Sequence, residues 1–352
     1  YVKGYTLTLS FSFGFSSKEP LRKKNEFSPK ILNTDHEQSG ANEFYYDLLE
    51  NLNNNRLYLQ TANLSEKELS ITIDSADIQN PIQNTSRAAF IAEKILETNK
   101  YDEISQINVG SILRGIQFNK ITYRTSDVKD KNNYITLVKK RSELKKAEPL
   151  EYKNHYFKPK VLFPTLVYNF SPDIRLHLGS PQRFQYSGFG IKIDAEMQIN
   201  RNLSINSVIA QDITNTFDKK VSIPTSSIPL VRTEIVDYLQ NSDDLNLRVL
   251  QLDYIAPVYN DIYARISAGY LEQMFGGFSS EILYKPFNYN FAASFEVNKV
   301  KKRGYKGRFD FLDYDTTTSH LNTAYYHPKS NILVKLSYGK YLAQDVGYTL
   351  DL

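Results

Sequence analysis

The side chains that could do chemistry in this 352-residue chain are few, and their spacing is uninformative. Its five histidines are His36, His155, His177, His320 and His327. None falls in an H-E-x-x-H or similar metal-binding spacing. There is no cysteine, which removes disulfides, thiolate nucleophiles and Cys-ligated zinc. No G-x-S-x-G nucleophile elbow and no phosphate-binding P-loop occurs. Glu272 and Glu281 flank Gly276-Gly277, read here as a turn, so a hairpin could bring the two carboxylates together. Paired carboxylates can cleave glycosides, but the simpler reading is a structural hydrogen-bond network. No catalytic residue, metal or cofactor is expected.

The better candidates are polar residues that share a face with one another. Lys192, Asp194, Glu196, Arg265, Glu281, Glu296 and Lys335 alternate with apolar neighbours and, with Glu272, are candidates for lining a lumen or touching glycan. In a narrow enclosure such charges pair with each other, whereas in a wide one they line an aqueous path. Tyr263, Tyr284, Tyr314 and Tyr325 could stack on sugar rings, as could Tyr289, Tyr305 and Tyr326. Amphipathic tyrosines also suit an interfacial belt or loop packing.

The elements that would position these groups read as strands. From about Lys160 to Leu352 the chain alternates apolar and polar residues, as in Phe189-x-Ile191-x-Ile193-x-Ala195-x-Met197 and Ile262-x-Ala264-x-Ile266-x-Ala268. Roughly eleven strands fit this stretch. Turns are expected at Ser171-Pro172-Asp173, Asn200-Arg201-Asn202, Pro257 to Asp261, Pro286 to Asn290 and His327 to Asn331. Longer connections are expected at Thr214 to Asp244 and Lys301 to Ser319. Short turns on one side and long loops on the other are the habit of outer-membrane barrels. Leu247 and Val249 share one phase while Leu250, Leu252 and Tyr254 share the other, which predicts a β-bulge.

Upstream the pattern changes. Tyr5 to Phe15 alternates strictly, as a transmembrane strand would, and a charged loop follows to Gly40. Between about Ala41 and Leu150 helical and strand periods mix. A helix is expected over Ala41 to Leu52, then strands over Arg56 to Ala62 and Leu69 to Ile73. A second helix capped by Ser86 follows, then strands over Ile104 to Val109 and Ile116 to Tyr123. This is a compact α/β module whose charges require water. The basic stretch Lys139, Lys140, Arg141, Lys145 and Lys146 near its end reads as a solvated linker, with contact to anionic headgroups or glycan as the alternative.

Composition agrees. Lys and Arg number 43 against 39 Asp and Glu, with no basic stripe, so a nucleic-acid partner is not expected. Mean hydropathy is −0.45, and no run approaches the ~18 apolar residues of a spanning helix. A β-barrel stays open, because alternating strands average out as hydrophilic. Tyr (26) and Phe (20) are abundant and Trp is absent, so Tyr and Phe would have to fill any aromatic girdle. Tyr1 in place of Met, and a mid-strand ending at Leu352, lead us to expect a piece of a longer polypeptide.

The series Leu250-Gln251-Leu252-Asp253-Tyr254, Ala268-Gly269-Tyr270-Leu271-Glu272-Gln273-Met274-Phe275-Gly276-Gly277 and Glu281-Ile282-Leu283-Tyr284-Lys285-Pro286 resembles the YjbH-type family of outer-membrane exopolysaccharide proteins. Asp313-Tyr314-Asp315 followed by Ala324-Tyr325-Tyr326 fits the same pattern, and the resemblance spans about Leu247 to Tyr326. It implies an N-terminal barrel, a small α/β domain and a second barrel. On that basis residues 1–16 are expected to end one barrel, 17–40 to form a loop, 41–150 a soluble periplasmic α/β domain, and 160–352 an antiparallel outer-membrane β-barrel. The implied role is non-catalytic export or assembly of an extracellular polysaccharide. The implied partners are that polysaccharide, outer-membrane lipid or lipopolysaccharide, and proteins of a secretion system. A porin-like channel, a plugged architectural subunit and a barrel enzyme are the alternatives.

Overall fold

The computed structural model describes residues 41–75, 81–113, 116–129, 145–146, 156–158, 164–178, 185–217, 229–232, 234–241, 244–287, 289–330 and 332–352. The strand expected near Tyr5, the loop after it and Lys139 to Arg141 lie outside these residues. The chain divides into two compact units, one within 1–109 and 121–143, the other within 110–120 and 144–352.

The first part is mixed. Helix α1 (Ala41–Asn54) puts Phe44, Leu48 and Leu52 on one face, spaced by four, and all three are fully buried. Strands β1 (Leu57–Leu64) and β2 (Glu68–Ser75) pair antiparallel. The backbone N–H of Leu64 donates to the Tyr45 hydroxyl at 2.9 Å, tying β1 to α1. Helix α2 (Pro81–Thr98) starts before Ser86. Pro81 suits a first helical position, where its missing N–H costs nothing. Ser86 is therefore interior and not a cap. Its Oγ donates to the Ile82 carbonyl at 2.7 Å and meets the Tyr123 hydroxyl at 3.1 Å. Strands β3 (Gln106–Leu113) and β4 (Ile116–Arg124), helix α3 (Thr125–Lys129) and the two-residue β5 (Lys145–Lys146) follow. The sheet order is β1-β2-β3-β4-β5.

The rest is one antiparallel meander. Its strands are β6 (Thr165–Leu178), β7 (Gln185–Gln198), β8 (Leu203–Asn215), β9 (Asn246–Tyr259) and β10 (Ile262–Tyr270). Then come β11 (Phe275–Tyr284), β12 (Phe291–Arg303), β13 (Phe311–His327), β14 (Ile332–Lys340) and β15 (Val346–Asp351). The strands lie in sequence order, ten of them where about eleven were expected, and β6 and β15 form the two edges among the described residues. The expected bulge is present, since the register slips between Val208 and Ile209, opposite Val249 and Leu247.

Register sorts the two faces. Ile282, Phe295, Leu321, Tyr338 and Tyr348 form one row across five strands, and each is more than half exposed. One residue over, Arg265, Glu281, Glu296 and His320 form a row on the opposite face. Large apolar side chains thus face outward while the polar face holds the charges.

Three expected turns or loops are corrected. Ser171-Pro172-Asp173 lies inside β6. Within the described residues β6 bonds only β7, and proline is tolerated on a strand with a free side. Gly276-Gly277 lies inside β11, and the chain reverses at 271–274 instead. A Cβ at Gly277, whose φ is +152°, would sit 2.1 Å from the Lys299 carbonyl oxygen, so glycine is needed for close strand approach and not for a turn. The loop expected over Lys301 to Ser319 shrinks to 304–310, because the Thr-rich run 316–318 pairs as strand. Connections at one end (199–202, 260–261, 285–290, 328–331) are short, but at the other only 216–245 is long.

Candidate functional site

The polar face is a dense network of paired groups. Arg265 on β10 reaches Glu281 on β11 at 3.1 Å and Glu296 on β12 at 3.8 Å. The register sets Glu281 directly opposite Glu296, so one guanidinium separates two facing carboxylates. Like charges directly opposite each other destabilise a sheet unless a cation intervenes. The Asn298 amide donates to Glu296 at 3.0 Å and to Thr318 at 3.1 Å. The Asp253 carboxylate accepts bonds from Ser267, from Gln251 at 2.8 Å and from Asn206 at 2.6 Å. Nearer the β6 edge, Asp173 accepts from Arg248 at 2.5 Å and pairs with Arg175, which also pairs with Asp212.

One end of this face is covered by the long connection between β8 and β9, which carries α4 (Ile235–Gln240). Tyr238 is fully buried and packs with Met274, Phe275 and Val300. Leu239 packs with Tyr186 and Phe217. Polar bonds fasten the same segment. Lys302 on β12 donates to Glu234 and to the Leu230 carbonyl at 2.9 Å. The Tyr305 hydroxyl donates to Glu234 at 2.8 Å. Arg232 pairs with Glu272 at 2.7 Å, and the Tyr238 hydroxyl donates to the Arg303 carbonyl at 2.5 Å. Burial first, then the neighbouring Glu234 carboxylate, pushes the Tyr305 phenol up to about 12. Burial, then Tyr305 and Glu234, raises Tyr238 further.

The sequence-derived candidates divide accordingly. Lys192 and Asp194 pair with each other at 3.0 Å on the polar face of β7, beside Glu196. Arg265, Glu281 and Glu296 converge. Glu272 does not join Glu281, because Arg232 holds it at the end of the sheet and Glu281 faces Arg265. Lys335 on β14 stands opposite Ala324 and Asp351. Tyr263 is on the polar face of β10, and the Tyr314 hydroxyl donates to the Leu342 carbonyl at 2.5 Å within the covered end. Tyr284 and Tyr325 lie on the apolar face, each roughly half exposed (47% and 48%).

Sequence reasoning missed Arg303, Lys302, Glu234 and Tyr238. Their partners lie far away along the chain, and no spacing rule could have joined them. It also missed that Glu281 faces Glu296, which counting outward from the turn before Phe291 would have given.

The sequence pattern of the YjbH family, described as exopolysaccharide biosynthesis protein, matches residues 1–352. The chain belongs to the YjbH family. The match covers the whole chain and so extends well beyond the stretch whose residues carried the resemblance. A curated YjbH relative, the uncharacterized lipoprotein YjbH of Escherichia coli strain K12, is 34% identical over 193 residues, 53% of this chain. The matching stretch spans 27% of that relative's length. No solved structure matches the chain. The chain thus spans about a quarter of the length of the YjbH relative that it matches.

Proposed function

We propose that this chain is part of an outer-membrane β-barrel protein that aids export or assembly of an extracellular polysaccharide without catalysing a reaction. The observation that carries the reading is the two-faced meander. A row of exposed Ile, Phe, Leu and Tyr side chains crosses five neighbouring strands on one face, and ion pairs crowd the other. Water would penalise such an apolar row, whereas lipid accepts it, and a lipid-facing sheet has to close on itself. The polar face is then the lumen, and the mixed five-stranded unit is the periplasmic domain that docks partner proteins. The lipoprotein relative is consistent with membrane association. The ion-paired state of Glu272, Glu281 and Glu296 favours a structural use of these carboxylates over glycoside cleavage.

Within this reading the α4 connection favours a plugged barrel over an open pore, because it packs an apolar cluster across one end of the polar face. The test is planar-bilayer conductance of full-length protein whose gel mobility shifts on heating, as for folded outer-membrane barrels. We expect heat-modifiability with little steady conductance. Large, steady conductance would support a porin-like channel instead. Absence of heat-modifiability, with loss of the protein from the outer-membrane fraction, would sink the barrel.

A further inference from the structure

The polar face borders an open cavity of about 510 Å³ between the α4 connection and the strands β9 to β15. Its volume falls within the range of small-ligand sites. The charged groups lining it are Arg232, Arg265, Glu272 and Glu296, with two positive and two negative charges. They are already matched, Arg232 to Glu272 at 2.7 Å and Arg265 to Glu296 at 3.8 Å. The other polar lining groups are mainly amides and hydroxyls, among them Gln251, Asn298, Asn322, Ser337 and Thr349. Leu271 and Leu342, both half-buried, give an apolar patch over the buried Phe275. The rings of His320 and Tyr341 meet edge-on with centroids 4.6 Å apart. The buried Nε2 of His320 has no hydrogen-bond partner among the described residues.

We infer that this cavity recognises an uncharged, hydroxyl-rich oligosaccharide segment. The inference rests on the polysaccharide role proposed above and narrows it to neutral sugar. A uronate or phosphate group needs unpaired cations, preferably bidentate arginine, and both arginines here are engaged by carboxylates. Sugar hydroxyls need mixed donors and acceptors; the Asn298 and Asn322 amide N–H groups are bonded to Glu296, Thr318 and Ser294, so the amide oxygens of these residues, the Ser337 hydroxyl and the His320 Nε2 supply them. The ring C–H faces of a sugar need an apolar or aromatic surface, which the half-buried Leu271, Tyr341 and Leu342 supply.

The experiment uses full-length protein in detergent micelles, titrated by calorimetry and observed by saturation-transfer NMR. The probes are tetrasaccharides of glucose, galactose and N-acetylglucosamine, with tetragalacturonate as the acidic counterpart. At least one neutral probe should bind more tightly than tetragalacturonate. Asn322→Ala and Tyr341→Ala should each weaken it by about tenfold or more. Thr317→Ala, on the apolar face, should leave it unchanged. Preference for tetragalacturonate, or no binding of any neutral probe by heat-modifiable protein, would overturn the inference while leaving the barrel reading intact. Neutral binding by protein that is not heat-modifiable would do the reverse.

Discussion

Arg303 carries a full charge to a place with no exposed surface. Such a charge persists only where most of its donors are met, and here both terminal nitrogens are bonded while Nε has no partner among the described residues. One guanidinium nitrogen donates to the carbonyls of Arg248 and Glu272, both at 2.9 Å, and another to that of Leu247 at 2.6 Å. Its Cζ lies over the Tyr270 ring, 4.0 Å from the ring centre. Substitution by alanine strands three carbonyls and opens a void. Arg303→Ala is expected to cost about 3 kcal/mol, read as a lower urea midpoint for the refolded protein in detergent. Arg303→Lys should recover little of it, because one ammonium cannot reproduce the planar fork. An unchanged midpoint would show that water replaces the guanidinium without penalty.

The segment around α4 is short, and α4 has few hydrogen bonds of its own, so its place depends on what it touches. Tyr305 is neutral when it donates to Glu234, and its ionisation is resisted until about pH 12, against 10 for the free phenol. Below pH 10 both forms are neutral and the bond is fully available. Above it the released segment ionises first, so attachment weakens until the attached phenol also ionises. Alkaline titration followed by tyrosinate absorbance and limited proteolysis should release the 229–241 segment between roughly pH 10 and 12. Tyr305→Phe should weaken this dependence, leaving the part contributed by the buried Tyr238, and an identical pH profile in that variant would refute the assignment.

The elements were largely legible in the sequence, because alternation over a two-sided strand is a local signal. Ile262 to Tyr270 and Ile332 to Lys340 follow it closely, and even the bulge near Leu247 left its trace as a phase change. Pro172 and Gly276-Gly277 misled because proline and glycine mark turns only on average. Here one sits on a strand with one hydrogen-bonded neighbour among the described residues, and the others allow close strand contact. The α4 segment and its fastenings were illegible, since Lys302 and Glu234 meet through the register of all the strands between them.

At the scale of the molecule the question is whether the sheet closes. The described strands leave β6 and β15 with one hydrogen-bonded neighbour each. A lipid-embedded sheet cannot keep such edges. In the full-length protein reconstituted in lipid, amide exchange along β6 and β15 should therefore be as slow as along β10 and β11. Fast exchange confined to the two edge strands would mean an open sheet, and with it a different explanation for the apolar face.

Arg303 also bears on the order in which the molecule is built. Its guanidinium belongs to β12, yet two of its carbonyl partners begin β9, and the strands between must be in place before it can reach them. Contacts that close late are absent from the folding barrier and act on escape from the native state. Loss of this one side chain should leave the rate of refolding almost untouched and shorten the lifetime of the finished sheet. Arg303 would then serve as a latch set after assembly, governing how long the sheet lasts and not how fast it forms.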